Sequence, residues 1–443
     1  MFINFSLMKY KHILFVMLAL VFSAFTTKPP KKSKLQLKVE RLAAEVEPKV
    51  IAWRHHLHEH PELSNREYKT AEYIAAHLQS LGLEVQTGVA KTGVVAILKG
   101  GKPGPVVALR ADIDALPVPE RVELPWASKA IGEYNGAEVP VMHACGHDTH
   151  TAILMGTAEV LTRVKAELRG TVKFIFQPAE EGAPKGEEGG AKLMVKEGVL
   201  KNPDVEAIFG LHISAGTHVG NINYRPGGAM ASANSFEITI HGKQSHGSLP
   251  WGGIDPIVTA AQIINNAQTI VSRSLPLTKE AAVVSFGAIH GGVRNNIIPE
   301  EVKMVGTIRA LDEEMRQEIF RRLETIVTKT AESNGATADL VINEGYPITY
   351  NDVALTNKML PTLQDVMGAG HVRLTPAITG AEDFSFFQRE VPGFYFFLGG
   401  TPLDTPEKEA APHHTPDFYV DDAGMVYGVK VMSRLVVDYM AMK

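Results

Sequence analysis

The sequence predicts an α/β protein with a mainly parallel central sheet, interrupted by a smaller inserted α+β unit of ferredoxin-like type. Three observations carry that expectation. Apolar runs of strand length at 94–98, 106–109, 172–176 and 207–211 alternate with segments of helical spacing, the pattern of βαβ units. From about Arg225 the texture changes to alternating, half-exposed strands and two long helices, and the first pattern resumes after Ala336. A chain of 443 residues also has room for about two or three cores.

Taken in order, residues 37–60 keep helical apolar spacing until Pro61 breaks it, and 68–81 form a second helix with Gly82 as its stop. Strands at 94–98 and 106–109 precede an apolar helix at 151–164. A buried strand at 172–176, a helix around 191–197 and a strand at 207–211 follow. The inserted part reads as a strand at 235–241, a helix at 255–272, strands around 282–289 and 302–309, and a helix at 313–333. Residues 340–343 and a C-terminal helix return to the larger unit. The expected division is therefore 37–225 with 336–443 for the larger unit and 226–335 for the insertion.

The first 27 residues place Lys9 and Lys11 ahead of an apolar run at 13–22 and the small residues Ser23 and Ala24, as a secretory signal peptide does. Met8 is an alternative start. The run is shorter than the ~20 residues a spanning helix needs. The expectation is a secreted or periplasmic protein, held at a membrane only if this segment stays uncleaved. Residues 28–36 carry Lys28, Lys31, Lys32 and Lys34 and read as a solvated basic linker.

Composition narrows the function. Hydrophobic residues at 45% and charged residues at 21% exclude a disordered chain. Lys+Arg 44 against Asp+Glu 49 gives a net charge of -5, which argues against nucleic acid as a partner. The single Cys145 excludes an internal disulfide framework and a multi-cysteine zinc site.

Ligands of open α/β sheets bind beyond the carboxyl ends of the strands. After 106–109 come Arg110, Asp112 and Asp114; after 172–176 come Gln177, Glu180, Glu181 and Gly182; 207–211 runs into His212. Between them His143, Cys145, His147, Asp148 and His150 stand just before a helix. One glycine between Cys145 and His147 lets a thiolate and an imidazole converge from a tight turn. Glu180 and Glu181 point opposite ways on an extended backbone, so one can be a metal ligand and the other a base. With His212 there are donors enough for two ions, which would polarise a carbonyl and acidify a bridging water. Two other readings stand beside this one: Cys145 as a small buried hydrophobe, or as the nucleophile of a thiol hydrolase, which leaves the glutamate pair without a role. His55, His56, His58 and His60 read as structural or solvated.

These residues closely resemble the amidohydrolase branch of the dizinc aminoacylase/carboxypeptidase metallopeptidases, which includes hippurate hydrolases, N-acyl-amino-acid deacylases and indole-acetyl-amino-acid hydrolases. The resemblance runs from about Val46 to the C-terminus. It rests on 54–58 (RHHLH), 60–62 (HPE), 110–117 (RADIDALP), 143–148 (HACGHD), 176–182 (FQPAEEG), 291–299 (GGVRNNIIP), 380–384 (GAEDF) and 414–416 (HTP). It implies a dinuclear-metal aminopeptidase-like catalytic domain with an inserted lid and dimerisation domain.

The resemblance also assigns roles. Cys145, His147, Glu181, His212 and His414 match the metal ligands, with Cys145 where related branches carry a bridging aspartate. Of the neighbours His413 and His414, the latter is favoured because it directly precedes Thr415-Pro416, and proline keeps the residues before it extended. Glu180 matches the general base. Asp114 matches an acid that orients a metal-site group, with Asp112 replacing its usual histidine neighbour. His246 matches the histidine that a partner subunit contributes to the oxyanion, and Asn296 and Arg309 match lid positions that hold the substrate's amide and carboxylate ends. The implied activity is metal-dependent hydrolysis of small N-acyl amino acids by a homodimer. A dipeptidase or carboxypeptidase, an acyl-diaminopimelate deacylase and a non-catalytic secreted binding protein are the alternatives. Two divalent ions are expected, zinc or manganese, with cobalt or nickel also suited to such mixed donors.

Overall fold

The computed structural model describes residues 31–442, so the expected signal peptide at 1–27 lies outside the described residues. Among the described residues no helix is long and apolar enough to cross a membrane. Helix α1 (Lys34–Glu59) begins inside the stretch that reads as linker. The cause is a capping box: Ser33 Oγ accepts from the Gln36 amide at 3.2 Å, and the Gln36 side chain accepts from the Ser33 amide at 2.7 Å. The apolar stripe Val39, Leu42, Val46, Val50 and Leu57 then buries one face of α1.

The chain continues through helix α2 (Tyr68–Ser80), strands β1 (Glu84–Val89), β2 (Gly93–Lys99) and β3 (Lys102–Asp112), and a hairpin of β4 (Ile131–Tyr134) and β5 (Ala137–Pro140). Helix α3 (His147–Thr162), strand β6 (Arg169–Gln177), helix α4 (Gly190–Lys196) and strands β7 (Ala207–His218) and β8 (Ile222–Tyr224) follow. The smaller unit holds β9 (Asn234–His241), α5 (Pro256–Thr269), β10 (Ala282–Gly291), β11 (Glu301–Ala310), α6 (Glu313–Ser333) and β12 (Thr337–Glu344). The larger unit closes with α7 (Val353–Met367), β13 (Val372–Leu374), β14 (Gly393–Thr401) and α8 (Met425–Ala441).

The large sheet has the order β1-β2-β6-β3-β7-β14-β8-β13. Its middle is parallel: β3 pairs with β6 and β7, and β7 with β14, all in the same direction. Val107, Leu109 and Ala111 join the core under α1, α3 and α8, whereas Ala108 joins a second core with Ala191 and Met194 of α4. Helices therefore cover both faces, as an apolar parallel strand requires. The chain leaves β3 for β6 on one side and crosses back to β7 on the other. That reversal opens a crevice at the carboxyl ends of β3, β6 and β7.

The smaller sheet, β10-β11-β9-β12, is antiparallel throughout and has its own core of Phe236, Ile238 and Ile240 against Ile263, Ile319 and Leu323. Here the structure differs from the expected division. Thr337–Glu344 pairs along its length with Asn234–His241, so the insertion runs past 336 and completes a βαββαβ pattern. An apolar run such as Leu340 to Ile342 announces a strand, but periodicity does not say which sheet it joins.

Candidate metal centre and active site

Most of the side chains reach the crevice from a strand end or a loop, but His147 opens helix α3, and the strand expected to end at 211 continues to His218, which puts His212 inside it. Asp112 closes β3, and Asp114 follows it. Cys145 and His147 flank Gly146, whose φ of 92° and whose missing Cβ are both required: a Cβ there would lie 2.3 Å from the Ile213 side chain. Glu180 and Glu181 follow β6 after Ala179, itself at φ 52°. His212 lies within β7. His414 sits in the loop after β14 at φ 64°, held there as its amide donates to the Ala144 carbonyl at 2.9 Å.

Cys145 is the centre of the group. Its Sγ lies 3.3 Å from His212 Nε2 and 3.2 Å from His414 Nε2. His414 Nε2 is 3.1 Å from Glu181 Oε1, and His147 Nε2 is 3.8 Å from Glu180 Oε2 and 3.9 Å from Glu181 Oε1. Outer partners orient two of the imidazoles. His147 Nδ1 donates toward the Asp114 carbonyl at 2.9 Å and its Oδ1 at 3.2 Å, leaving Nε2 buried with no hydrogen-bond partner. His212 Nδ1 donates to the Ile213 carbonyl at 2.5 Å, which turns the Nε2 lone pair toward Cys145. Ligating histidines are held in this way, one nitrogen fixed and the other free.

The residues fit divalent cations on chemical grounds as well. The crevice buries Asp112, Asp114, Glu180, Glu382 and Asp383 around one guanidinium, Arg110. Arg110 donates to Asp112 at 2.6 Å, Glu382 at 2.8 Å and Asp383 at 2.9 Å. Even with the His147 imidazole, which Asp112 and Asp114 lift to about 10 against its burial, the positive charge does not balance five carboxylates. Burial, then Glu382, Glu181 and Asp383, pushes the Glu180 carboxyl well above its usual range. Burial, then Glu181 and Glu180, does the same to the Cys145 thiol. Two divalent ions would reverse this and keep the donors deprotonated. The same rise argues against Cys145 as a nucleophile, which needs a lowered pKa.

Two nearby histidines belong to further possible ligand groups, with His413 Nδ1 3.8 Å from Cys145 Sγ, but both of their ring nitrogens already have partners. His150 donates from Nδ1 to Asp112 at 2.6 Å and accepts the Ile213 amide on Nε2 at 2.7 Å. His413 accepts the Ala215 amide at 3.0 Å on Nε2 and has Nδ1 3.2 Å from the Cys145 carbonyl. Its neighbour His414 is the one beside both Cys145 and Glu181.

The group opens into a cavity of about 720 Å³, whose far wall includes Met230, Tyr346, Ile378 and Phe397. Asp114 stands behind His147, and its Oδ2 accepts from the Glu181 amide at 3.0 Å and from Ser64 at 2.7 Å. His246, Asn296 and Arg309 belong to the smaller unit, and none of them lines this cavity. His246 is exposed and pairs with Ile297 in a two-residue ladder, Asn296 accepts the Gly247 amide at 2.9 Å, and Arg309 donates to Thr307 at 2.6 Å.

Several contributors escape sequence reasoning. Tyr346 donates to the Glu180 carbonyl at 2.6 Å. Glu382 and Asp383 come from the 380–384 motif, whose chemistry has no visible partner in the sequence. His58 is buried, with Nδ1 2.9 Å from Asp148 and Nε2 3.1 Å from Glu120, while Arg54 donates to Asp148 at 3.1 Å. This cluster ties α1 to the first turn of α3, next to His147.

Residues 108–438 match the model of Peptidase family M20/M25/M40. The chain is 40% identical over 406 residues to Thermostable carboxypeptidase 2 of Saccharolobus solfataricus, covering 91% of this chain and 98% of that protein. It is 38% identical over 391 residues to N-acetylcysteine deacetylase of Bacillus subtilis, covering 88% and 96%. In three dimensions it is similar to the Bacillus subtilis YXEP protein, a dinuclear metal-binding peptidase of the M20 family. That comparison has a TM-score of 0.75 and 35% identity, over 90% of this chain and 100% of that one.

Proposed function

The chain belongs to Peptidase family M20/M25/M40 and is a metal-dependent amide-bond hydrolase; from that premise we propose that it removes the acyl group from N-acyl amino acids, with Glu180 moving the proton. The observation that carries the reading is the division of labour between adjacent carboxylates. Glu181 meets His414, Cys145 and His147, as a ligand would. Glu180 lines the same cavity and also lies near His147, but its other neighbours are the carboxylates Glu382 and Asp383 rather than Cys145 and His414, which supports a proton-transfer role for it.

Cys145, His147, Glu181, His212 and His414 would hold two divalent ions, zinc or manganese by donor type. When bound, such ions polarise a carbonyl and acidify water. Glu180 takes the proton of the attacking water and returns it to the leaving nitrogen. Asp114 keeps His147 in the tautomer that presents Nε2. The exposed position of His246 supports a role in a second copy's site, where it would donate to the oxyanion of a homodimer partner. Asn296 and Arg309, on the same unit, would hold the amide and carboxylate ends of the substrate. The likeness to a carboxypeptidase favours a second reading, cleavage of short peptides at the same centre. The N-terminal segment is proposed to direct export, to be checked by sequencing the N-terminus of the mature protein.

The experiment is amino-acid release from a panel of N-acyl amino acids, dipeptides and acyl-diaminopimelate, before and after chelation and metal return. Metal-restored release from the acyl amino acids is expected. Release confined to peptides would replace the deacylase reading with the peptidase one, and release indifferent to chelation would end both.

A further inference from the structure

A second cavity, of about 740 Å³, lies against the centre, and among the described residues Glu181 alone lines both. Its back wall is fixed, because Ser64 at the wall donates to Asp114 Oδ2, the same oxygen that accepts the Glu181 amide. Its outer wall is the β4–β5 hairpin. Asn135 and Gly136 at the tip have φ of 54° and 79°, the pair of positive values that a tight two-residue hairpin turn demands. The hairpin joins no other sheet. Among the described residues its buried apolar base is Leu63, Ala115 and Val141, with Ala130 and Val139 packed against them. A short hairpin with so small an apolar base is among the elements that open most easily.

The chemistry of this cavity is unlike that of the first. Ile131 and Tyr134 line it while remaining 62% and 44% exposed. Across from them, Lys185 lies in a loop that turns at Gly182 and Gly186, both with positive φ. Arg66 is already engaged by Glu187. Among the described residues, the side chains of Lys185 and Glu133 make no ion pair or hydrogen bond. The cavity therefore offers an aromatic ring, an aliphatic side chain, one uncommitted cation and one uncommitted anion. An apolar acyl group belongs with Met230, Ile378 and Phe397 in the first cavity, and a phosphate would call for a cluster of cations.

We propose that this cavity is a second substrate subsite, which holds the polar, peptide-like continuation of the leaving amine, with the hairpin as its yielding wall. The proposal rests on the amide-hydrolase reading of the neighbouring centre and extends the substrate class from single acyl amino acids to acyl peptides. Tyr134 would cover the extension, Glu133 would meet a cationic side chain, and Lys185 would meet the carboxylate of an extended substrate, leaving Arg309 that of a single acyl amino acid. The volume falls in the range of small-molecule sites and has room for a residue or two.

The test is calorimetric binding of phenylacetyl-alanine and phenylacetyl-alanyl-lysine to the zinc-loaded Glu180→Gln protein, alongside turnover of both by the zinc-loaded wild type. The extended amide should bind about tenfold more tightly. Lys185→Glu and Tyr134→Ala should each cut that ratio by about threefold or more. Equal binding of the two amides, or variants that weaken both to the same degree, would overturn the subsite. A preserved binding ratio without wild-type turnover would support the subsite and count against hydrolysis of these amides, so the two readings fail separately.

Discussion

Replacing His58 with glutamine should destabilise the protein in a way that depends on pH. Burial alone would push the His58 imidazole down, but Asp148 and Glu120, one on each ring nitrogen, lift it to about 9 from an ordinary 6.5. Asp148 is correspondingly held well below the usual carboxylate range: burial opposes this, and His58 and Arg54 prevail. A folded-state pKa raised to about 9 is worth about 3 kcal/mol to the folded chain. Because the value is raised on folding, the contribution is complete below pH 6.5, declines by about 1.4 kcal/mol per pH step, and is gone above pH 9. Glutamine retains hydrogen-bonding capacity but not the charge. Urea unfolding of metal-free wild type and His58→Gln at pH 6, 7.5 and 9.5 reads this contribution, since groups that His58 does not touch cancel in the difference and Asp148 and His143, which it does touch, are both held below that window. The gap between the two proteins should be about 3 kcal/mol larger at pH 6 than at pH 9.5. A gap that stays constant across that window would refute a charged His58 as the clamp between α1 and α3.

Three further outcomes follow from the centre itself. Gly146→Ala places a Cβ against Ile213 in a left-handed backbone and should weaken metal retention by about tenfold or more, read by competition with a chelator. Asp114→Ala keeps the carbonyl contact to His147 but removes its carboxylate partner and the acceptor of the Glu181 amide, and should cost about tenfold in metal affinity, again by chelator competition, with secondary structure by circular dichroism unchanged. Tyr346→Phe removes the donor to the Glu180 carbonyl and should lower kcat more than it raises KM, with metal content intact; an effect on KM alone would place Tyr346 in substrate binding instead.

The larger sheet and most of the centre are legible in the sequence because both are local. An apolar strand carries its own signal, and Asp112, Asp114, Glu180 and Glu181 lie at or just past strand ends, while His212 directly follows the apolar run 207–211 inside its strand. What is not legible depends on distant partners. Arg110 meets Glu382 across 272 positions, and nothing near either residue announces the pair. His58 sits among four histidines of one helix end, and only packing separates it from His60, which is exposed with Nδ1 on the His56 carbonyl. The β4–β5 hairpin leaves only Asn135-Gly136 as a sign, between strands of four residues each. Thr337–Glu344 shows a half-exposed edge strand, so its place in the smaller sheet emerges from pairing alone.

The proposed division of work between adjacent glutamates is tested by one paired measurement: metal content and N-acyl amino acid turnover of Glu180→Gln and Glu181→Gln, side by side. Glu180→Gln should keep the wild-type metal content and lose turnover by about 10³-fold. Glu181→Gln should lose metal, and lose turnover with it. A Glu180→Gln protein emptied of metal, or a Glu181→Gln protein that stays fully loaded, would contradict the assignment of proton transfer to one and coordination to the other.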